Sequence, residues 1–109
     1  MQLPDELILY EGDLGYYPTE EFLEWIEKVN VFEYGKLNYL KTILDTWYHS
    51  DYGWKIKRKY NGKRKVFIST LGWSGNEEMI AAMKENVGFW HTSYYQHERG
   101  GHYTFIINE

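Results

Sequence analysis

Apolar residues recur at helical spacing in two segments of the N-terminal half. Thr19 stands before two glutamates, which is typical of a helix N-cap, and the residues after it fall at i, i+4 and i+7: Phe22, Ile26 and Val29. A second helix is predicted over about 35–48, with one apolar stripe formed by Leu37, Leu40, Leu44 and Trp47. The short apolar run 7–10 predicts an edge strand before both helices.

The pattern then changes to the alternation of a β-hairpin. Asn61-Gly62 is typical of a two-residue hairpin loop, because both residues tolerate positive φ. The loop predicts two flanking strands, 54–60 and 63–71. In that register Ile56 lies opposite Phe67 on one face of the sheet.

A third helix and a second hairpin complete the chain. Ser74 and Glu77 have the spacing of a capping box, in which each side chain satisfies a backbone N–H of the other residue. Apolar residues continue at helical spacing to about residue 86. The second hairpin has strands 89–98 and 102–108 around Arg99-Gly100-Gly101. Simple alternation puts Gln96 and Glu98 on its core side and the following residues on its opposite side: His91, Tyr95, His97, Arg99, His102, Thr104 and Ile106.

This order of elements predicts a single α+β domain over 1–109. Two N-terminal helices precede a hairpin–helix–hairpin unit, which forms a mostly antiparallel sheet of four to five strands. The third helix is about one strand long, so strands 64–71 and 89–98 are expected to run in the same direction. The loop 72–76 and the turn 99–102 then meet at one end of the sheet.

Composition excludes several classes of protein. The 109 residues include no cysteine, which excludes disulfides, thiolate zinc sites and cysteine nucleophiles. The apolar runs are too short to span a bilayer, and the first residues are acidic where a signal peptide would be basic. We therefore expect a cytoplasmic protein with no membrane partner. Aromatic residues form 19% of the chain, which is incompatible with general disorder.

Charge is distributed unevenly, although the net charge is only −4. Residues 1–33 carry nine acidic side chains against one basic, whereas residues 53–66 carry seven basic side chains and no acidic one. The two segments either neutralise each other, or form separate solvated faces, or the basic one binds a polyanion or an acidic partner. The net negative charge argues against general nucleic-acid binding. For a protein partner, the candidate residues are Lys57, Arg58, Lys59, Arg64 and Lys65.

The glycine-containing loop before the third helix is the candidate ligand site. Backbone N–H groups at a helix N-terminus attract an anion, but Glu77 and Glu78 already supply negative charge, so a purely structural turn is the alternative. The neighbouring turn offers Arg99 for a phosphate, and a tryptophan can stack on a base. The predicted site, around one concavity, consists of Trp73, Ser74, Gly75, Asn76, Trp90, Arg99 and His102.

Metal binding and catalysis receive less support from the sequence. His91, His97 and His102 are six and five residues apart, and on strands these spacings do not guarantee that the three converge on one metal ion. We therefore expect neither a metal nor a cofactor. A hydrolase or transferase would use His97 or His102 with Glu98 as acid–base groups, and no nucleophile is specified. The pattern favours a binding protein over an enzyme.

A combined signature over about residues 66–107 resembles that of small bacteriophage-encoded proteins without a settled activity: GWSGNEE at 72–78, FW at 89–90 and RGGHYTF at 99–105. The resemblance implies a protein that acts in the bacterial host cytoplasm. Small phage proteins of this size often counter host defence by binding a host protein or by sequestering a nucleotide signal.

The predicted function is that of a non-enzymatic binding protein for a small anionic, nucleotide-like ligand. One alternative is an inhibitor that binds a host protein through the acidic N-terminal helix or the basic hairpin. The other is a small histidine-dependent hydrolase or transferase. The oligomeric state is left open.

Overall fold

A computed structural model describes residues 2–12, 15–47, 53–58 and 62–108. This part of the chain contains five α-helices: α1 (Glu20–Lys28), α2 (Val31–Tyr34), α3 (Lys36–Asp45), α4 (Ser74–Glu85) and α5 (Val87–Ser93). It also contains six strands: β1 (Ile8–Gly12), β2 (Gly15–Pro18), β3 (Trp54–Arg58), β4 (Arg64–Ser69), β5 (Tyr94–Glu98) and β6 (His102–Ile107). None of these helices has the length and apolar character that a membrane crossing requires.

The strands form two antiparallel sheets. β1 pairs with β2, and the other four strands are ordered β3-β4-β6-β5. β6 is antiparallel to both of its neighbours, so β4 and β5 run in the same direction with β6 between them. The predicted α+β class and the predicted direction of these two strands are confirmed.

The two long N-terminal helices lie where periodicity predicts them. The Thr19 hydroxyl accepts a hydrogen bond from the Phe22 amide at 3.1 Å and thereby caps α1. The apolar stripe of α3 is buried at Leu40 and Leu44. Between these helices lies α2, one turn long and capped by Asn30, which is too short for periodicity to reveal.

The core lies between the helices and one face of the four-stranded sheet. Val66 and Phe105 on that face are fully buried. Phe89 of α5 joins the two layers, because its ring centroid lies 4.7 Å from that of Tyr39 in α3 and 5.4 Å from that of Phe105 in β6. The opposite face of the sheet has no helix packed on it within the described residues, and we call it the open face.

The buried phenol of Tyr39 makes the stability of this core depend on pH in the alkaline range. Its hydroxyl donates a hydrogen bond to the Ile26 carbonyl at 2.8 Å, and burial raises the pKa of the phenol far above its ordinary value of about 10. The folded state therefore favours the neutral phenol, and stability is expected to fall as the pH rises above about 10. Tyr39→Phe, which cannot ionise, should make this fall shallower in urea unfolding at several alkaline pH values. An equally steep fall in both proteins would contradict this account.

The register of the first hairpin differs from the prediction. Ile56 pairs with Val66 and Arg58 pairs with Arg64, whereas the sequence predicted Ile56 opposite Phe67. Of the predicted two-residue turn, Asn61 lies outside the described residues, as do the two residues before it. Gly62 itself has φ +84, the positive value that the prediction requires of it.

The segment predicted as the start of a strand at residue 89 is the helix α5. Asn86 caps this helix, since its side-chain oxygen accepts a hydrogen bond from the Phe89 amide at 3.2 Å. Trp90 and His91 therefore lie on a helix, and the strand begins only at Tyr94. The aromatic residues favoured a strand locally, but the helical turn is what carries Phe89 into the core.

A β-bulge in β5 corrects the predicted faces of the second hairpin. Tyr94 pairs with Phe105 but Gln96 pairs with Thr104, so one extra residue, Tyr95, is accommodated between them. A bulge reverses the alternation of every later side chain in the strand. Gln96 and Glu98 consequently lie on the open face, and His97 lies on the covered face. The sequence prediction, which placed Gln96 and Glu98 on the core side and His97 on the opposite side, is wrong for all three residues.

Candidate functional site

A groove of about 530 Å³ runs along the open face of the four-stranded sheet. Its volume lies within the roughly 300–1,000 Å³ of small-molecule sites. It ends beside the first residue after the Arg99–Gly101 turn. The side chains that line it come from all four strands: Lys55, Phe67, Ser69, Gln96, Glu98, His102 and Thr104.

The strand register explains why these side chains share one face. Residues paired directly across adjacent strands project on the same side of a sheet. Three pairs link the lining residues across the ladders: Lys55 with Phe67, Phe67 with Thr104, and Ser69 with His102. The bulge adds Gln96 opposite Thr104 and Glu98 opposite His102. The groove is therefore a product of the register and the bulge together.

Aromatic rings and lysines alternate beside the groove. The Lys65 ammonium lies 5.3 Å from the ring centroid of Phe67 and 5.5 Å from that of Tyr95. The Lys57 ammonium lies 5.9 Å from the same Phe67 ring. These distances are those of cation–π contacts. Tyr95 is 56% exposed, so its ring faces solvent.

Two helices that pack together on the helical side of the molecule are strongly acidic. The helices α1 and α4 pack against each other and together carry seven glutamates: Glu20, Glu21, Glu24, Glu27, Glu77, Glu78 and Glu85. Lys28 pairs with Glu24 within α1, at 3.1 Å. Among the described residues no carboxylate lies within ion-pair distance of Lys55, Lys57 or Lys65. Within the described residues, these lysines and the two acidic helices therefore lie on separate faces and are not paired.

The two glycine turns meet at one end of the sheet. The Thr70 amide donates a hydrogen bond to the Gly101 carbonyl at 3.0 Å. The Asn76 side-chain amide donates to the Thr70 carbonyl at 3.1 Å. Gly101 packs so closely on Thr70 that a Cβ atom at this position would overlap the threonine hydroxyl. Thr70 is therefore the residue through which the α4 loop and the second hairpin turn are held together.

The residues predicted at the α4 loop differ in their exposure. α4 begins at Ser74 with Trp73 as its N-cap, and no side chain caps it, so the predicted capping box of Ser74 and Glu77 is wrong. The reason is the tight turn at 71–72, where both residues have positive φ and the helix begins one residue early. Asn76 is 1% exposed, and Gly75 is buried beside it. Ser74 is exposed and Trp73 is half-buried.

The other three predicted ligand residues are divided between the two faces. His102 lines the groove, and Arg99 is exposed in the turn that precedes it. Trp90 stacks on Tyr94 of the covered face, with ring centroids 4.8 Å apart and planes 16° apart. The sheet therefore separates Trp90 from His102.

The predicted partner-binding residues are divided in a similar way. Lys57 and Lys65 pair across the ladder on the open face. Arg58 and Arg64 pair at the next position, so they project from the opposite side. Lys59 lies outside the described residues.

The histidines do not converge in the described part of the chain. His97 stacks on Tyr103 at 5.2 Å, and its Nδ1 atom lies 2.9 Å from the Tyr94 hydroxyl, on the covered face. His91 is exposed on α5. No group of three potential metal ligands occurs among the residues described. Of the acid–base groups considered for an enzyme, only Glu98 and His102 face the same groove.

Several groove residues were missed in the sequence: Lys55, Phe67, Ser69 and Gln96. Three of them lie on strands whose existence was predicted, but their common face depends on a register that the local Asn-Gly signal misassigned. Gln96 was assigned to the wrong face because a bulge leaves no clear trace in single-sequence alternation. Phe67 could have been found as an aromatic residue two positions after Lys65, on the same face of an alternating strand.

No family model, curated protein sequence or solved structure matches this chain. The chemistry of the groove is therefore the basis for a functional assignment.

Proposed function

We propose that the protein binds a small anionic, nucleotide-like ligand in the groove of the open face and does not turn it over. The observation that carries this proposal is the combination, on one sheet face, of an aromatic ring, hydrogen-bonding side chains and lysines that pair with no carboxylate among the described residues. A base stacks on an aromatic ring, a phosphate pairs with an ammonium, and amide or carboxylate oxygens accept from base edges.

The charges of the groove orient such a ligand. Lys55, Lys57 and Lys65 lie on β3 and β4, on one side of the open face, and Glu98 lies on the far strand β5. Glu98 repels a phosphate but accepts a hydrogen bond from the amino group of a base. The phosphate is thus placed toward the lysines, and the base edge toward Gln96 and Glu98.

A role in sequestration follows from the resemblance to small phage proteins. A binding protein without turnover lowers the free concentration of its ligand, which is one way to silence a nucleotide signal in an infected bacterium. Lys57 and Lys65 would also serve an inhibitor that binds an acidic host protein. The aromatic surface between the lysines favours the nucleotide, because an acidic protein segment needs the charges but not exposed ring faces.

Calorimetric titration with mono-, di- and cyclic nucleotides tests this proposal. We expect at least one nucleotide to bind, and Lys55→Ala to weaken it by about tenfold, since a charged hydrogen bond contributes about 1.5–3 kcal/mol. Arg99→Ala tests the exposed cation at the end of the groove in the same way. Lys41→Ala, which removes an exposed lysine on α3, is the matched control and should bind as the parent does. If no nucleotide binds the parent, or if Lys55→Ala and Lys41→Ala bind equally well, the groove is not the site.

A further inference from the structure

We infer that the open face takes two nucleotides joined through a phosphate, a dinucleotide unit, and not a single nucleotide. This inference rests on the proposed function and concerns the same face. Its basis is the position of Lys65, whose ammonium lies between two aromatic rings, 5.3 Å from Phe67 and 5.5 Å from Tyr95. Two stacking surfaces with one cation between them match two bases with one linking phosphate.

The second stacking surface lies beyond the groove. Phe67 lines the groove, whereas Tyr95 and Lys65 do not. A ligand confined to the groove therefore leaves an exposed tyrosine ring and the contact that Lys65 makes with it unused. The bulge in β5 places Tyr95 on the open face together with Gln96, so two consecutive side chains face the same side there. The site continues from the groove toward the edge strand.

The lysines that now cover the rings do not prevent stacking. A cation–π contact at an exposed site contributes a factor of about two to five in affinity. Stacking of a base on an aromatic side chain contributes about five- to 150-fold. A lysine has a flexible stem, so its ammonium can leave the ring face for a phosphate while a base takes its place. Replacing the lysine on each ring by a stacked base therefore stabilises the bound state.

The same features disfavour a double helix as the ligand. The bases of a duplex are stacked on each other, so their faces are not available to Phe67 and Tyr95. The lysines alone would still attract its phosphates, but the ring surfaces would be unused. The unit that fits is single-stranded and contains at least two bases.

Fluorescence anisotropy with labelled ligands tests the inference, using a mononucleotide, a linear dinucleotide, a cyclic dinucleotide, and short single strands of DNA and RNA. We expect the linear or the cyclic dinucleotide to bind at least about tenfold tighter than the mononucleotide, in line with one added base stack. If a single strand binds tighter than either dinucleotide, the dinucleotide unit that the site recognises belongs to a polymer. A free dinucleotide that binds as tightly as any strand identifies a small molecule as the source.

Variants of Tyr95 separate stacking from charge. Tyr95→Ala should abolish the higher affinity for the dinucleotide and leave the affinity for the mononucleotide within about twofold. Tyr95→Phe should keep the higher affinity for the dinucleotide, because its ring can still stack on a base. Lys65→Gln should reduce dinucleotide binding more than mononucleotide binding. Tyr94→Ala, on the covered face, is the control and should keep the higher affinity for the dinucleotide.

Two results overturn different claims. If the mononucleotide binds and no dinucleotide or strand binds tighter, or if Tyr95→Ala keeps the higher affinity for the dinucleotide, the inference is wrong and the proposed function stands. If neither the mononucleotide nor any dinucleotide or strand binds, the proposed function fails.

Discussion

Gly101→Ala is expected to lower the free energy of unfolding by about 3 kcal/mol. Gly101 has φ +78, and forcing an alanine into this region costs about 1 kcal/mol or more. The added Cβ atom would also overlap the Thr70 hydroxyl, and overpacking of this kind costs about 1–3 kcal/mol. Because Thr70 is 2% exposed and holds both turns, it cannot move aside into solvent. Urea unfolding of the parent and the variant measures the loss.

Gly72→Ala is the matched control for this prediction. Gly72 has φ +76, and a Cβ atom there would meet nothing within 4 Å. It therefore has the backbone cost without the overlap, and a loss of about 1 kcal/mol is expected. Equal losses in the two variants would show that the contact between the turns contributes nothing. Since His102 follows Gly101 directly, the Gly101→Ala protein should also bind the proposed ligand more weakly, even where it is fully folded.

Asn86→Ala is expected to cost about 3 kcal/mol, because three buried hydrogen bonds depend on this side chain. Its amide nitrogen donates to the carbonyls of Ile26 at 2.9 Å and Val29 at 3.0 Å, and its oxygen accepts from the Phe89 amide at 3.2 Å. Asn86 is 5% exposed, so water cannot replace these bonds readily. The two carbonyls belong to the last turn of α1 and to its C-cap residue Val29, where helix carbonyls lack partners within the helix. One side chain thus ends α1 and begins α5.

Two variants distinguish this double role from ordinary capping. Asn30→Ala removes an exposed cap of α2 and should cost about 1 kcal/mol. Asn86→Asp keeps the oxygen that caps α5 but turns a second oxygen toward the carbonyls of α1, so it should be at least as destabilising as Asn86→Ala. Thermal unfolding at neutral pH measures the relative stability of Asn86→Ala, Asn86→Asp and Asn30→Ala. An Asn86→Asp protein as stable as the parent would show that the bonds to α1 are unimportant.

The helices that could be predicted are those with enough turns to show a period. α1 has a capping threonine and a repeated apolar position, and α3 has a continuous stripe, so local signals suffice for both. α5 has only seven residues, and its aromatic residues have high strand propensity. What decides its conformation is the bonding of Asn86 to carbonyls about 60 residues away along the chain, together with the packing of Phe89 between α3 and β6. Neither contact has a local signature.

The candidate site was harder to predict than the fold, because a site depends on which face each side chain occupies. A shift of one residue in a hairpin, or one extra residue in a strand, exchanges the two faces. Both occurred here. The pairing of Arg58 with Arg64 departs by one residue from the register that Asn61-Gly62 predicts, and the bulge at Tyr95 places Glu98 on the open face. The cations of the first hairpin were recognised from charge alone, but their aromatic neighbour Phe67 needed the register.

The separation of acidic helices from a basic sheet face makes the molecule an electrostatic dipole. Its net charge of −4 would slow the approach of an anion if the charge were spread evenly. At physiological ionic strength, however, charges beyond about 8 Å are largely screened. An anion close to the sheet therefore experiences the nearby lysines more strongly than the glutamates across the core. For the proposed anionic ligand, encounters from the sheet side are therefore expected to be productive more often than those from the helical side. Added salt is expected to slow association more than it speeds dissociation.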